Sequence, residues 1–219
     1  MDKEREAEAD KDRIRRTYDR LAPWYDLLEA VPDRLLGMVS WRRRLLARAR
    51  GRVLEVAVGT GRNLEHYPDG CRIVGLDGSR GMLERARGRG ASGGRNPGLV
   101  RGDTERLPFP AATFDTVVDS LALCTYPRPV RALEEMARVC RTDGRVLLLE
   151  HGRSSWEPLG WLQDRRHGML SRRAGCRWNR RPREIVERSG LELASARRGR
   201  LGIFHALEVR PPAEPGRPA

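Results

Sequence analysis

Short apolar runs alternate with amphipathic stretches along most of the chain. Runs of Val, Leu and Ile bounded by turn residues are typical of strands that are covered on both faces. The predicted strands are residues 53–58, 73–77, 99–101, 114–119, 145–151, 191–197 and 201–209. The predicted helices between them are residues 79–87, 129–141 and 182–189. Alternation of this kind predicts an α/β fold with a doubly wound, mostly parallel sheet.

The N-terminal region has the spacing of helices. Apolar residues recur with a period near that of a helix over residues 3–30, despite Pro23, and we predict a second helix over residues 32–50. The pair Tyr18-Asp19 recurs as Tyr25-Asp26. An aromatic side chain on such a helix most often packs on the rest of the domain, and this is the simplest expectation for both tyrosines.

The strand at 53–58 ends in a turn that contains Gly59 and Gly61. Glycine at such a turn lets the backbone approach a ligand closely. Glu55 would be costly to bury alone, so we expect a ligand or a loop amide to meet its carboxylate. The next strand ends at Asp77, where a doubly wound fold places a carboxylate on ribose hydroxyls. These features predict a site for a nucleoside or a dinucleotide.

The spacing of the glycines distinguishes a nucleoside site from a dinucleotide site. Dinucleotide sites usually carry the pattern G-x-G-x-x-G, and Leu64 stands where its last glycine would fall. A dinucleotide-dependent oxidoreductase is therefore the weaker alternative, which failure to bind NAD would exclude. A non-catalytic binding protein or membrane-docked protein is a further alternative, but the acids Glu55, Asp77 and Asp103 are all retained.

A series of short motifs resembles a known family. The motifs are Glu55-x-Ala57-x-Gly59-x-Gly61, Gly75-x-Asp77-x-Ser79, Gly102-Asp103, Leu107-Pro108-Phe109 and Phe114-Asp115. In this order they resemble the motifs of class I S-adenosylmethionine-dependent methyltransferases. The resemblance is closest to the branch of the ubiquinone and menaquinone methyltransferases and the related phospholipid and small-thiol methyltransferases. One departure is Ala57, where the family usually has glycine; we expect its methyl group to be tolerated if the backbone there is extended.

The resemblance implies a seven-stranded sheet whose last two strands pair in antiparallel fashion. It also implies an N-terminal helical lid over residues 1–50, a methyltransferase domain over 51–210 and S-adenosylmethionine as cofactor. Residues 211–219 are rich in Pro and are expected to be disordered. The reaction implied is in-line transfer of the methyl group to a small acceptor such as a thiol, an amino-lipid, or a phenol or quinol.

The same resemblance implies the cofactor-binding residues. They are Tyr18, Tyr25, Glu55, Gly59, Gly61, Asp77, Gly78, Ser79, Met82, Asp103, Thr104, Ser120 and Leu121. The tyrosines would close the lid, the first glycine turn would hold the methionine part, and Asp77 with Ser79 would hold the ribose. Asp103 would accept a hydrogen bond from the adenine amino group, although on the residues alone it could also be an N-cap or turn residue.

Residues on the carboxyl side of the later strands are candidates for the methyl-transfer site. Residues 120–126 leave the fourth strand at the edge where open parallel sheets bind ligands. Cys124 in this segment is not expected to act as a nucleophile, because transfer from a sulfonium needs no covalent enzyme intermediate. His151 ends the fifth strand and is our candidate for a general base. Residues 152–181 form the insertion in which such enzymes build acceptor specificity.

The cysteine pattern indicates neither a disulfide framework nor a metal site. The four cysteines, Cys71, Cys124, Cys140 and Cys176, are widely spaced and include no C-x-x-C pair. A mixed set of Asp164, His167, Cys176 and Asn179 is too irregular to predict a metal centre. We expect no metal and a reducing cytoplasm.

Composition adds limits on partners. The 219 residues fit one domain, and the formal net charge is +13, but Lys occurs only at positions 3 and 11 and the arginines are spread along the chain. This looks like compositional bias, so we expect no nucleic-acid partner. No apolar run reaches the roughly 18 residues of a spanning helix. Trp and Leu in residues 156–162 hint at a lipophilic small-molecule acceptor, and peripheral membrane contact and oligomeric state stay open.

Overall fold

The computed structural model describes residues 2–212, without the side chains of residues 2, 3, 32, 170, 173 and 174. Residues 213–219 of the predicted disordered tail lie outside the described residues. The strands are β1 (Arg52–Val56), β2 (Arg72–Asp77), β3 (Gly98–Arg101), β4 (Phe114–Ser120), β5 (Cys140–His151), β6 (Glu192–Gly199) and β7 (Phe204–Arg210). The helices are α1 (Asp2–Leu21), α2 (Tyr25–Leu36), α3 (Met38–Leu46), α4 (Arg80–Ser92), α5 (Pro129–Val139), α6 (Glu157–Ala174) and α7 (Pro182–Arg188), with a short 3₁₀ turn at Leu64–His66.

The strands form one seven-stranded sheet in the order β3-β2-β1-β4-β5-β7-β6. Strands β1 to β5 are parallel to one another, and β7 is antiparallel to both β5 and β6. The predicted α/β fold with a mostly parallel, doubly wound sheet is therefore confirmed. The chain order reverses between β1 and β4, and open α/β sheets bind ligands outside the carboxyl ends of the strands at such a point.

The N-terminal region contains three helices where the sequence predicts two. The ring of Pro23 disfavours helical backbone at the preceding residue, so α1 ends at Leu21 and α2 begins at Tyr25. Gly37 adopts a φ of 66° and donates its N–H to the carbonyl of Arg34, which ends α2 and separates it from α3. The predicted continuous helices over residues 3–30 and 32–50 are therefore wrong at these two breaks.

Apolar side chains cover both faces of the sheet. Val53, Leu54 and Val56 of β1 are fully buried, as predicted for a central strand. One core surrounds Phe114 and includes residues of α5 and α7, whereas the other includes Met38 of α3. Because Met38 of α3 belongs to this core and Leu36 at the end of α2 packs against it, part of the N-terminal region is joined to the sheet. A lid over all of residues 1–50 stays a prediction.

Candidate functional site

A cleft lies at the carboxyl edge of the sheet, and we call it the central cleft. It encloses about 860 Å³, including solvent at its mouth. Its lining contains these residues from the predicted cofactor set: Tyr18, Tyr25, Gly59, Asp77, Gly78, Ser79, Met82, Asp103, Thr104, Ser120 and Leu121. Further lining residues are Lys11, Ile14, Arg15, Ala57, Gly102, Glu105, Ala122, Thr125, Tyr126 and Pro127. The structure therefore brings most of the predicted set to one site, at the point where the strand order reverses.

Asp77 joins the two turns that form the floor of the central cleft. Its Oδ2 accepts a hydrogen bond of 2.9 Å from the N–H of Gly59, and its Oδ1 accepts one of 2.8 Å from the N–H of Ser79. Each carboxylate oxygen has a second lone pair, so the group can still accept hydrogen bonds from hydroxyls in the cleft. Burial raises the pKa of Asp77, although these amide hydrogen bonds oppose the shift. Asp77 therefore both shapes the turns and presents acceptors to a ligand.

Glu55 and Gly61 lie behind the cleft and outside its lining. The carboxylate of Glu55 is buried and accepts hydrogen bonds of 2.8 Å from Asn63 Nδ2 and from the Tyr67 hydroxyl. Burial raises the pKa of Glu55 to about 7, and the two hydrogen bonds oppose this shift. Gly61 has a φ of 78°, and a Cβ there would come within 2.8 Å of Leu64 Cδ1. The loop after β1 therefore satisfies Glu55 through the side-chain amide of Asn63 and the hydroxyl of Tyr67, in agreement with the expected loop amide and without a ligand.

Ala57 begins the glycine turn with a strained backbone. Its φ is 47°, which is the left-handed region, so the expectation of an extended backbone at this position is wrong. A residue with a Cβ pays roughly 1–2 kcal/mol for this conformation, because Cβ approaches the following carbonyl oxygen. The family's usual glycine would carry no such cost, and the strain lies directly in the lining of the central cleft.

Asp103 is held from both sides at the β3 end of the cleft. Its Oδ1 accepts a hydrogen bond of 2.9 Å from the N–H of Glu105, which is the turn arrangement that the sequence left open. Its Oδ2 accepts one of 2.6 Å from Lys11 Nζ on α1. Lys11 also lies 2.9 Å from the buried Glu105 carboxylate and 2.8 Å from Glu8. Burial alone would lower the pKa of Lys11, but its hydrogen bonds to these acids raise it.

Sequence analysis missed Lys11 as a site residue. The available indication was its rarity, since it is one of two lysines in a chain whose other basic residues are arginines. A lysine Nζ is a compact donor that can reach several carboxylates at once, as it does here. Lys11 therefore ties α1 to the turn that carries Asp103.

In the repeated Tyr-Asp pair, the tyrosines line the cleft and the aspartates bind the neighbouring turns. The rings of Tyr18 and Tyr25 lie with centroids 6.1 Å apart, and both line the cleft. Asp19 accepts hydrogen bonds of 2.6 Å from Ser79 Oγ and 3.0 Å from the N–H of Gly81. Asp26 accepts one of 2.7 Å from Thr60 Oγ1. Each tyrosine thus lines the cleft, and the aspartate next to it ties its helix to a turn. Asp19 ties α1 to the turn after β2, and Asp26 ties α2 to the turn after β1.

A group of two cysteines and one histidine lies beyond the end of the cleft that Tyr18 and Leu121 line. Cys124 Sγ, His151 Nε2 and Cys176 Sγ all lie within 4.8 Å of one another, and we call them the Cys-His cluster. His151 Nε2 is 3.6 Å from Cys176 Sγ. The hydrogen bond from Cys124 and the proximity of His151 lower the pKa of Cys176, against the effect of burial. The predicted base, His151, therefore lies outside the cleft lining and beside two thiols.

Asp164, His167, Cys176 and Asn179, which the sequence analysis considered as metal ligands, do not all lie together. Asp164 accepts hydrogen bonds of 2.9 Å from Arg153 Nε and 3.1 Å from Asn179 Nδ2, and His167 Nδ1 lies 2.7 Å from the carbonyl oxygen of Asp164. Cys176 instead lies with Cys124 and His151. The grouping of Cys176 with Cys124 is a long-range contact that the spacing of the residues did not indicate.

Comparison with known proteins identifies the family. Residues 54–148 match the family model described as a methyltransferase domain. The chain is 40% identical over 159 residues to a phosphatidylethanolamine N-methyltransferase of Cereibacter sphaeroides, covering 69% of this chain and 74% of that protein. It is 35% identical over 168 residues to a demethylmenaquinone methyltransferase of Thermobifida fusca, covering 71% of this chain and 70% of that protein.

A longer relative and a solved structure agree with this result. The mitochondrial methyltransferase OMS1 of Saccharomyces cerevisiae is 31% identical over 213 residues, which cover 88% of this chain but only 45% of that protein. This chain therefore spans about half the length of the yeast relative. A methyltransferase of Thermotoga maritima, described as a possible histamine N-methyltransferase, has the same fold, with a TM-score of 0.66, 20% identity and coverage of 91% of this chain and all of that one.

Fold, motifs and relatives lead to one assignment. The seven-stranded, mostly parallel sheet is the one that the motifs imply, and the matched family implies S-adenosylmethionine as the cofactor. The chain belongs to the class I S-adenosylmethionine-dependent methyltransferases, in the branch that contains the phospholipid and menaquinone methyltransferases.

Proposed function

We propose that this enzyme transfers a methyl group to a small lipophilic acceptor at the end of the central cleft that Tyr18, Tyr25 and Leu121 line. The observation that carries the proposal is the division of the cleft between polar and apolar walls. Carboxylates and backbone amides surround the turns after β1, β2 and β3. The end near β4 is mainly apolar, lined by Leu121, Ala122, Tyr126 and Pro127 together with the hydroxyls of Ser120 and Thr125. A polar cofactor and an apolar acceptor can therefore meet within one cavity.

The residues around the turns fit an adenosyl group with a methionine tail. Asp77 retains lone pairs for the ribose hydroxyls, with Gly78 and Ser79 beside it, and Asp103 would accept from the adenine amino group. The backbone at Gly59 approaches the cleft without a side chain and would hold the methionine part. The remaining proposed contacts are made by Met82, Thr104, Ser120 and Leu121. Glu55 and Gly61 would act indirectly, by supporting the turn from behind.

S-adenosylmethionine supplies an activated methyl group when bound, so the protein has mainly to align the acceptor and exclude water. Tyr18 and Tyr25 cover the cleft from α1 and α2, and Asp19 and Asp26 hold those helices down. Alignment of this kind can contribute about 7–11 kcal/mol in the best intramolecular models. For an acceptor that arrives protonated, His151 is our candidate to take the proton, acting from the Cys-His cluster.

An exposed apolar face on α2 supports a lipophilic acceptor. The face consists of Trp24, Leu27, Leu28, Val31 and Leu35, each of which is exposed. These positions recur at helical spacing, so they form one stripe beside the tyrosines of the cleft. Two relatives are named for the methylation of phosphatidylethanolamine and demethylmenaquinone, which are both lipids. We propose that the stripe rests on a membrane surface and that the enzyme acts there from the cytoplasm.

Within residues 2–212, none of the helices has the length and apolar character needed to cross a membrane. Contact through the stripe would therefore be peripheral for this part of the chain. Arg43 and Arg44 on the following helix, α3, would favour an anionic lipid surface, whereas α2 itself carries Asp26, Glu29 and Asp33 against Arg34.

Labelled-methyl transfer to a panel of acceptors tests the proposal. The panel contains vesicles with phosphatidylethanolamine, vesicles with a quinol, a hydrophobic thiol, and a water-soluble analogue of each. We expect transfer to one lipophilic class, and a Leu28→Ser/Val31→Ser variant should lose transfer to the vesicle-borne acceptor while it keeps transfer to the soluble analogue. Transfer only to hydrophilic acceptors, or equal loss with both forms, would refute the lipophilic assignment. Calorimetric titration with S-adenosylhomocysteine shows separately that the cofactor site of each variant is intact.

A further inference from the structure

The Cys-His cluster is assembled from three distant segments at one end of the central cleft. Cys124 lies in the loop after β4, His151 ends β5, and Cys176 follows the C-terminal cap of α6. Cys124 is buried, and the other two side chains are half-buried. Cys124 Sγ lies 3.9 Å from the carbonyl oxygen of Leu121, which lines the cleft, so the cluster adjoins the cleft. The three side chains are therefore at the acceptor end, where a bound group could reach the reacting atoms.

Several contacts fix the loop that brings Cys176 to Cys124. The N–H of Arg177 donates to the carbonyl of Cys124 at 3.0 Å. The guanidinium of Arg180 donates to the carbonyls of Leu123 and Tyr126 in the same loop as Cys124. Together these bonds clamp the two cysteine-bearing loops to each other, so the position of the sulfur atoms does not depend on side-chain packing alone.

Two glycines next to the cluster, Gly152 and Gly175, cannot be replaced by larger residues without a clash. Gly175 has a φ of 71°, and a Cβ there would come within 2.5 Å of Ile14 Cγ1 on α1. A Cβ on Gly152 would come within 2.5 Å of the carbonyl oxygen of Arg180. Both positions immediately adjoin a member of the cluster, so the backbone is held where His151 and Cys176 can meet.

The distance from His151 to Cys176 is close to that between two ligands of a zinc centre. Zinc binds thiolate sulfur at about 2.3 Å and imidazole nitrogen at about 2.0–2.1 Å in tetrahedral geometry, which places two sulfur ligands about 3.8 Å apart and a sulfur and a nitrogen ligand about 3.5 Å apart. The observed distance from His151 Nε2 to Cys176 Sγ is 3.6 Å, and the largest separation in the cluster is below 4.8 Å. A small inward rotation of the side chains would complete the geometry.

We propose that Cys124 Sγ, His151 Nε2 and Cys176 Sγ bind one zinc ion whose fourth position is open towards the acceptor end of the cleft. Two cysteines and one histidine with an open position form a ligand set that catalytic zinc uses. Two thiolates balance the charge of the ion, so a buried site of this composition is neutral overall. This inference goes beyond methyl transfer, and binding of the metal does not depend on the proposed acceptor.

The bound ion would change the part that His151 plays. A histidine whose Nε2 binds zinc cannot take a proton at that atom, so His151 would be a ligand instead of a base. Zinc would hold an acceptor such as a thiol at its open position. Coordination stabilises the thiolate, so the thiol would lose its proton to solvent on binding. Metal content therefore decides between the two roles of His151.

The experiment measures zinc in the reduced, full-length protein by mass spectrometry after dialysis, and follows cobalt binding by the thiolate charge-transfer absorption. We expect about one zinc per chain in the wild type and in a Cys71→Ser control, whose half-buried thiol lies outside the cluster. Cys176→Ser and His151→Gln should each lower zinc affinity by at least about 10-fold and remove or shift the cobalt band. Circular dichroism and titration with S-adenosylhomocysteine establish that these variants are folded.

Substoichiometric zinc in the reduced wild type would overturn the proposal. So would an equal loss of zinc in Cys71→Ser, or failure of the fully reduced wild type to develop the cobalt–thiolate band. Cofactor binding is measured separately from zinc content. Absence of zinc would therefore leave the methyltransferase assignment intact, and absence of cofactor binding would leave the result for zinc intact.

Discussion

The two ends of the central cleft are built in different ways. At the cofactor end, the groups that face the ligand follow directly from a strand, and Asp77, Gly59 and Ser79 are joined by short hydrogen bonds. At the acceptor end, the Cys-His cluster draws on three segments whose meeting depends on α6 and the loop after it. Local sequence therefore determines the first end, whereas the packing of distant elements determines the second. Changes at the two ends should have separable effects on cofactor binding and on methyl transfer.

The largest expected effect at the cofactor end comes from Asp77→Ala. The change removes the acceptor of two backbone amides and the proposed partner of the ribose. Charge-assisted hydrogen bonds contribute about 1.5–3 kcal/mol each, so the affinity for S-adenosylhomocysteine should fall by about 100-fold or more in calorimetry. Asp77→Asn should be intermediate, and Asp69→Ala, at an exposed loop position, should bind normally. Normal affinity in Asp77→Ala would remove the ribose assignment.

A pH-dependent stability separates Glu55 from the cofactor ligands. Its folded pKa of about 7 lies above the ordinary value of 4.5, so the folded state binds the proton more tightly than the unfolded state. The stabilisation is complete below about pH 4.5 and is lost as pH rises through about 7, with a total of about 3 kcal/mol. Urea unfolding of Glu55→Gln should lack this part of the pH dependence. Cofactor affinity should be unchanged, and a large loss of affinity would mean that Glu55 contacts the ligand.

Lys11→Met tests whether α1 closes the adenine end. The change removes the ion pair of Asp103 with Lys11, whereas Arg128 still pairs with Glu105 at 2.9 Å and with Glu8 at 3.6 Å. We expect the affinity for S-adenosylhomocysteine to fall by about 10-fold and amide exchange in α1 to accelerate. Arg5→Met, an exposed position on the same helix, is the control. Unchanged affinity and exchange would show that the tie does not hold the helix.

The smallest effect is expected from Ala57→Gly. Glycine relieves the left-handed strain at φ 47° but has more conformational freedom to lose on folding, so the net gain in unfolding free energy should be about 0.5–1 kcal/mol. Ala137→Gly in α5 is the control and should be destabilising by about 1 kcal/mol, because its backbone is helical. Thermal unfolding of both variants measures the difference. Destabilisation by Ala57→Gly would mean that the methyl group contributes more packing than it costs in strain.

The sequence predicts the sheet and most of the cofactor end because that information is local. Alternating strands and helices determined the order of elements, and the acids and glycines that follow β1, β2 and β3 determined where the cleft opens. Pro23 and Gly37 are residue types that commonly end helices, so the two breaks could have been predicted. The helical periodicity on either side of each residue obscured them.

The rest of the site depends on contacts between distant residues. The bonds of Asp19 to Ser79 and of Lys11 to Asp103 require α1 to lie over the cleft, and no periodicity in α1 specifies that placement. Glu55 appeared to be a ligand contact because its partners, Asn63 and Tyr67, satisfy it only once the following loop folds back. The Cys-His cluster likewise follows from the loop clamp at Arg177 and Arg180.

A crystal structure with S-adenosylhomocysteine bound tests the central claim most directly. The account predicts that the ribose hydroxyls lie within hydrogen-bonding distance of Asp77, that the adenine lies at Asp103, and that the sulfur points towards Tyr18 and Tyr25. Density for the ligand outside the central cleft, or a ribose held by residues other than Asp77, would contradict it.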